Sequence, residues 1–470
     1  MRILDRALSL VGLQRTHNIE HRQLEAAAGT KRWPDGNTIT SMNATSLSST
    51  LAARRALYSV TNNPHAARAQ AVFVSSFIGD GIRPRSQHPS EPIRKRLNEG
   101  FRRFATSAEI SGRRDLFGLQ ADAAAMMVTH GEAFVLHRYV RNAANELELR
   151  LAVIHPDQIP RSESRDLPNG NIVRQGIELD RFSRIVAYYV LDHRPDDMRA
   201  PVNFTPRRIP ARQVLHIFRP LEAGQLRGIS WFAPVLLILH ELDQWSDATL
   251  VKQKLSSMYA GVLSDPDGAG SPLTDDHSHP ADMPRLEAGS ILSMPPGKQL
   301  DFTNPPDSAD FPPVAKYYLR AIASGLGLTY DQLSGDLSDV NFSSIRAGTI
   351  EFRRMVSQVQ HQIIIRNLCQ PIWNWWVDFE ILSGRLSSGQ REQYQQVKWL
   401  PPKFHYVNPQ QDVQADKIML ANKLKSRAEI VAERGFDIEE LDAEIAADLA
   451  RERRLGITET LGDANADTQQ

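Results

Sequence analysis

The sequence predicts an α+β fold: a mixed helix-and-strand domain leading into a helical hairpin, a long helix and short C-terminal helices. Three observations carry this. Apolar residues recur at helical spacing from Leu51 to about Gly131 and at period two from there to about Pro220. A run rich in Pro, Asp and Gly, residues 264–313, separates two helical stretches. Finally, "SGDLSDVNFSSIRAGTIEFRRMV", Ser334 to Val356, sets a polar loop directly before a helix with an apolar stripe.

Composition narrows the class. A chain of 470 residues with 41% hydrophobic and 23% charged residues can bury a sizeable core, as about three domains or one elaborated one. Lys+Arg 55 equals Asp+Glu 55, which argues against a basic protein that grips nucleic acid through many phosphates, but local patches can still differ in sign. Cys369 is the only cysteine, so neither an intrachain disulfide nor a Cys-based zinc site can form. "MRILDRALSLVGLQRT" reads as a short amphipathic helix, not a signal peptide, because its apolar run is short and no small-residue cleavage site follows. No window nears 18 uninterrupted apolar residues, so no membrane span is expected.

In chain order, residues 1–48 read as an arm whose Ser/Thr-rich end is mobile or docked on a neighbour. Helices follow over "LAARRALYSV", from Asn63-Pro64 to Gly79, and over "EPIRKRLNEGFRRFA", where Ile93, Leu97, Phe101 and Phe104 share a face. Leu116, Leu119, Ala123, Met126 and Met127 mark another, stopped near Gly131. "EAFVLHRYV", "ELELRLAVI", "RIVAYYVLD" and "RQVLHIFRP" read as strands. Past Pro234 a helix of roughly 25 residues fits. "GSILSM" is a short strand-like piece inside the Pro-rich run, and "VAKYYLRAIASGLGL" is helical. A helix is then expected from about Ser344 to Gln370, with Ile345, Phe352, Met355, Val356, Val359 and Ile363 as its stripe, kinked or stopped by Pro371. The Trp373, Trp375 and Trp376 cluster supplies aromatic packing beyond it. Ser426…Glu429 and Asp437…Glu440 suit capping boxes of short C-terminal helices.

Catalytic motifs are scarce. "HNIEH" places His17, Glu20 and His21 in the spacing of inverted zinc peptidases, yet it lies near the terminus with no third ligand in view, so a solvated helix face is favoured. His277 and His279 sit in a Pro/Asp-rich loop. "GKQ" at Gly297 lacks the rest of a P-loop, and no Gly-x-Ser-x-Gly elbow exists. Cys369 lies among apolar helix residues and reads as a buried thiol. No catalytic residue, metal or cofactor is expected. Gly224, Gln225, Arg227 and Gly228 in "GQLRG" form a strand-to-helix junction with a structural role, glycine permitting the sharp turn.

The segments "NNPHAARAQAVFVSSFIGDGIRPR", "HGEAFV", "GQLRGISWFAPVL" and above all "GLTYDQLSGDLSDVNFSSIRAGTIEFRR" resemble, in order and spacing from about Lys31 to Asn408, the lambda-type portal proteins of tailed double-stranded DNA bacteriophages. The stretch before Lys31 is not covered. Asn408 stands before Pro409 where the family has Asp, and Asn caps a helix about as well. The resemblance implies a portal-type fold: an α+β wing (49–230), stem helices (231–263 and 314–327), a clip (264–313), a tunnel loop (328–343), a long kinked helix returning to the wing (344–400), crown helices (401–460) and a disordered tail (461–470). It implies a homo-oligomeric ring, typically of twelve subunits, at one capsid vertex of the virion, made in the bacterial cytoplasm. DNA would pass through it without sequence preference. Partners would be the terminase large subunit, head-completion or adaptor proteins, and major capsid and scaffold proteins.

On this reading Asp336, Ser338, Asp339, Asn341 and Ser343 face the channel, and the lack of a cation among them lets DNA slide. Arg346, Arg353 and Arg354 contact DNA or a neighbour's carboxylate, or are simply solvated. A ring needs two complementary faces on each subunit, which a chain of balanced charge can supply. The rival readings are a metal-dependent hydrolase centred on His17, Glu20 and His21, and an oligomeric scaffold through which no DNA passes.

Overall fold

A computed structural model gives the structure of the chain and describes residues 41–142, 144–197, 205–258, 262–264, 299–301, 311–338, 342–402, 409–434 and 436–455. Four helices lead: α1 (Ser46–Asn62), α2 (Pro64–Phe77), α3 (Glu91–Thr106) and α4 (Leu116–His130), with strand β1 (Arg83–Ser86) between α2 and α3. Their starts follow local chemistry. The Asn63 side chain accepts from the N–H groups of His65 and Ala66, with Pro64 in the first turn, and Asp115 caps α4 through Gly118 N–H. The polar run expected to be arm to residue 48 is already helical from Ser46. Just before it, Met42 and Asn43 bond to Glu222, Gly224 and Leu226 of their own chain.

Strand β2 (Glu132–Arg141) is the centre of the mixed domain, flanked by β3 (Leu147–Ile154) and β9 (Val214–Phe218) in an antiparallel sheet. Between β3 and β9 a second sheet runs β4 (Arg165–Asp166), β5 (Ile172–Arg174), β6 (Ile177–Leu179), β7 (Ile185–Val190), β8 (Arg207–Pro210). The first half of β2 is buried on both faces. Ala133 and Val135 join the large helical core, whereas Phe134 and Leu136 pack with Ile177, Tyr188 and Ile209 in a smaller one. Phe134, Val135 and Leu136 each contribute about 1.5–3 kcal/mol on leaving water.

The later elements are α5 (Leu236–Met258), β10 (Val262–Ser264), β11 (Gln299–Asp301), α6 (Phe311–Leu326), α7 (Tyr330–Ser334), α8 (Phe342–Val359), α9 (Gln370–Leu382), α10 (Arg391–Tyr394), β12 (Val397–Leu400), α11 (Pro409–Ala421), α12 (Arg427–Glu433) and α13 (Ile438–Leu455). β10 pairs antiparallel with β11, and β1 with β12. The expected strand "GSILSM" lies outside the described residues, as do His277, His279, Asn408 and the tail.

Of the two outcomes expected at Pro371, a kink or a stop, the stop does not occur, and the helix runs on past its expected end near Gln370. Between α8 and α9 the backbone is π-helical over Gln360–Cys369, and Gln370 N–H bonds to Ile365 O. A wider turn accommodates a residue without an N–H, so the rod continues from Phe342 to Leu382, roughly 60 Å at about 1.5 Å per residue. Of its predicted stripe, Phe352, Val356, Val359 and Ile363 are buried and Met355 is partly so. The Gln360 amide, itself buried, donates to Ser76 O and Phe77 O at 3.1 and 3.0 Å, satisfying carbonyls at the end of α2. Trp373 and Trp376 pack with Phe101, ring centroids 4.9 and 5.3 Å away, while Trp375 turns aside and donates to Arg212 O.

The C-terminal helices attach differently. Among the described residues α13 buries none. It is held by Arg85 on Asp437 (2.9 Å), Arg94 on Glu439 (2.7 Å) and Arg102 on Glu440. The Ser426 hydroxyl caps α12 through Glu429 N–H, whereas Asp437 accepts from Glu439 N–H and not from Glu440.

Candidate functional site

The described part of the Ser334 loop is a locked turn. Gln332 Oε1 accepts from Thr329 N–H (3.1 Å), fixing the start of α7, and Gly335 ends the helix at φ +75°, a left-handed position suited to glycine. Asp336 closes the turn: its carboxylate accepts from Ser338 N–H (3.0 Å), the Ser338 hydroxyl (2.6 Å) and the Tyr330 hydroxyl (3.2 Å). The two bonds from Ser338 hold the Asp336 carboxyl below its ordinary range, with smaller contributions from Tyr330 and Lys316. Arg68 of α2 donates to Gln332 O at 2.8 Å, and Lys316 and Arg320 of α6 lie over the Tyr330 ring, 5.5 and 5.7 Å from its centre. The carboxylate of the loop therefore emerges beside basic residues from two other helices.

Of the expected loop residues, Asp336 and Ser338 are thus brought together. Asp339 and Asn341 lie outside the described residues, as do the side chains of Ser343 and Arg346 in the first turns of α8. Arg354 is exposed and lines, with Arg320 and Glu351, an open cleft of about 570 Å³ between α6 and α8, and Arg353 beside it is half-buried.

The expected junction is a buried polar hub. Glu132 at the start of β2 is fully buried and accepts from Arg227 Nε (2.9 and 3.0 Å), Arg161 (2.8 Å) and Gly228 N–H (2.8 Å), and it meets His216 Nε2 at 2.9 Å. Arg227 also donates to Ile159 O, Gln175 O and Pro156 O, and Arg161 reaches Ser49 Oγ of α1. Gln225 donates to Arg227 O and accepts from Leu221 N–H, shaping the chain ahead of α5. Gly224 takes φ +80°. Burial alone would push the Glu132 carboxyl up, but Arg227, Arg161 and His216 together hold it well below the carboxylate range. Burial also lowers His216, against the pull of Glu132, and since an ionised carboxylate can only accept, the Nε2–H donates to it.

Glycine is required where the end of α4 and the loop ahead of α5 cross at this junction. A Cβ on Gly228 would stand 2.1 Å from Gly131 O, and one on Gly131 would stand 2.2 Å from Ile229 C, with φ already at +91°. Gly228→Ala is expected to cost about 3 kcal/mol, read as a lowered urea midpoint, because neither contact partner is a flexible side chain.

Glu132, Arg161 and His216 were not singled out in the sequence. The available signal is an acid on the same strand face as Phe134 and Leu136, which must find a buried cation. Arg68, Lys316 and Arg320 were likewise missed, since only the tertiary structure brings α2 and α6 to the loop. His17, Glu20 and His21 lie outside the described residues. Among those described, no group of three metal-capable side chains forms, and no helix is long and apolar enough to cross a membrane.

The family model described as "Phage portal protein, lambda family" matches residues 30–360. The chain is 27% identical over 428 residues to the "Probable portal protein" of Halomonas phage phiHAP-1, covering 87% of this chain and 82% of that one. It is 22% identical over 445 residues to "Portal protein B" of Escherichia phage lambda, covering 85% and 83%. Among solved structures it is similar to a chain in the "Neck of native GTA particle computed with C12 symmetry", at 14% identity and TM-score 0.46, over 82% of this chain and 94% of that one.

Proposed function

The chain belongs to the lambda family of phage portal proteins, and from that premise we propose that it is a ring-forming, non-catalytic subunit at one capsid vertex through which double-stranded DNA enters and leaves. Twelve copies close around the channel, and the ring is assembled in the bacterial cytoplasm and carried in the virion. The wing holds residues 49–230, the stem is α5 and α6, the clip lies between them, and the crown is α11 to α13. The clip docks the terminase large subunit during packaging and adaptor proteins afterwards, while major capsid and scaffold proteins surround the ring.

One observation supports this reading above the others: a short polar turn, closed by Asp336 on Ser338 and tied to its own helix α7 through the Tyr330 hydroxyl, precedes in sequence a rod that runs from Phe342 to Leu382. A loop so carried can hold its place against a moving polymer. Asp336, Ser338, Asp339, Asn341 and Ser343 repel or merely hydrogen-bond a phosphate, so none of them arrests sliding. Arg346, Arg353 and Arg354 lie further along α8, where they steer DNA or pair with a neighbouring subunit.

The test replaces residues 336–341 with a Gly-Ser stretch of equal length. Rings should form as in the unaltered protein, seen by negative-stain microscopy, while DNA protected inside proheads falls to background. Undiminished packaging removes the loop from the mechanism. Annular particles missing from the unaltered protein, even at high concentration, remove the ring.

A further inference from the structure

Two arginine-bearing stretches distant in sequence, "HRYVR" of β2 and "RRIPARQ" of β8 and the turn before β9, meet at one cleft of about 460 Å³. Register explains the meeting: Leu136 pairs with Val214, so His137 and Arg138 continue past the end of β9, where β8 and residues 211–213 cross. Arg138, Arg207 and Arg208 line the cleft together with His137, Tyr139 and Gln213, and no carboxylate does. Elsewhere on this surface arginines are largely neutralised in place, as Arg174 is by Asp166, Arg184 by Asp180 and Arg385 by Glu380.

The acids that neighbour the cleft are engaged. Glu178 is held by Arg208 at 2.6 Å, and Asp378 by Arg391 at 2.6 Å. Asp192 meets Arg207 at 2.9 Å, but both are more than half exposed, so that pair is weak and readily exchanged. Arg138 makes no hydrogen bond or ion pair among the described residues, and Arg212 offers only its carbonyl, to Trp375. The wall carries one more unfilled polar atom: His137 Nδ1 is buried without a partner, its ring set 4.4 Å from Trp375 and 5.3 Å from Tyr139. Tyr139 is 44% exposed beside them.

We propose that this cleft is a binding site for the phosphodiester backbone of DNA, separate from the loop after α7, with Arg138 of its lining and Arg212, exposed on the turn between the lining residues Pro210 and Gln213, as its principal phosphate contacts and Arg207 joining them on release from Asp192. It rests on the chain handling DNA, but none of its residues belongs to α6, α7 or α8. Guanidinium groups donate two parallel N–H bonds to an oxyanion, and their open, sequence-blind arrangement suits a continuous polyanion passing over the surface. An exposed ring next to them packs against sugar or base without selecting sequence.

The experiment uses the full chain, a fluorescein-labelled random 20-mer duplex and anisotropy titrations from 50 to 200 mM salt. The variants are Arg138→Gln/Arg212→Gln and, separately, the Gly-Ser replacement of residues 336–341. The arginine pair is expected to weaken duplex binding several-fold at 50 mM salt and to reduce the slope of log affinity on log salt by about 2, at about 0.9 per phosphate lost. Pyrophosphate at matched ionic strength should compete with the duplex in the unaltered protein and lose that effect in the arginine variant. Unchanged affinity and slope overturn the site. So does an unchanged duplex affinity accompanied by lost binding of polyglutamate, which would assign the cleft to an acidic protein partner. Ring formation and packaging by the loop variant are scored apart from this, so the site and the channel can fail independently.

Discussion

Arg227→Met is expected to lower the stability of the folded chain by about 3–5 kcal/mol, the loss that follows when one partner of a buried ion pair is removed. Methionine fills much of the same volume, so the loss is electrostatic in origin. Glu132 keeps Arg161, His216 and Gly228 N–H, but the guanidinium that spans both of its oxygens is gone. The carbonyls of Pro156, Ile159 and Gln175 lose their donor in the same step. Arg227→Lys should recover only a fraction, because one ammonium cannot reach acceptors arranged around a planar fork. Urea unfolding, with the arginine, lysine and methionine forms in descending order of midpoint, checks this. The pH dependence has a definite sign. A carboxyl whose folded pKa is depressed contributes stability that is present above its unfolded value, near 4.5, and is lost as pH falls toward the folded value. The gap between the two proteins should therefore narrow in acid.

Trp373→Ala is expected to cost a similar amount, about 3–5 kcal/mol, from a different source. The indole is wholly buried, 4.9 Å from the Phe101 ring and 5.2 Å from Trp376, and its Nε1–H donates to Tyr394 O at 2.9 Å. It thus joins α3, α9 and the segment leading to β12. Trp373→Phe keeps most of the packing and loses only that bond, a cost of about 1 kcal/mol plus a small cavity. A phenylalanine form as unstable as the alanine form would show that the hydrogen bond, not the packing, holds the corner. Denaturant unfolding of both variants decides between them.

Helices were legible because their ends are written locally. Asn63-Pro64, Asp115 and Ser426 each cap through bonds spanning two or three residues, and the stripe of Leu97 and Phe101 needs no knowledge of its partner. β1 and β12 were not legible, since four-residue strands, one containing Pro84, carry no periodic signal. The half-buried alternation expected of β2 fails in its first five residues because α4 covers one face and the five-stranded sheet the other. Nor could spacing reveal that Pro371 is absorbed by a π-helical stretch, because that depends on which carbonyl Gln370 finds. At the site, the Asp336 turn was readable as a polar loop, whereas its basic surroundings come from α2 and α6, remote in sequence. Gln225 and Arg227 were readable as a junction, but Glu132 at its centre was not.

Because α13 has no fully buried side chain and is tethered by Arg85, Arg94 and Arg102, its hold is largely ionic, and salt reaches its contacts unequally. The Arg102–Glu440 pair, 64% and 62% exposed, is screened beyond about 8 Å at physiological salt and about 3 Å at 1 M, whereas Arg85 and Asp437 are largely shielded from solvent and feel that screening far less. Concentrated electrolyte thus slackens the outer tether of this last described helix first, while the inner one, at Asp437 just before its first turn, keeps its hold.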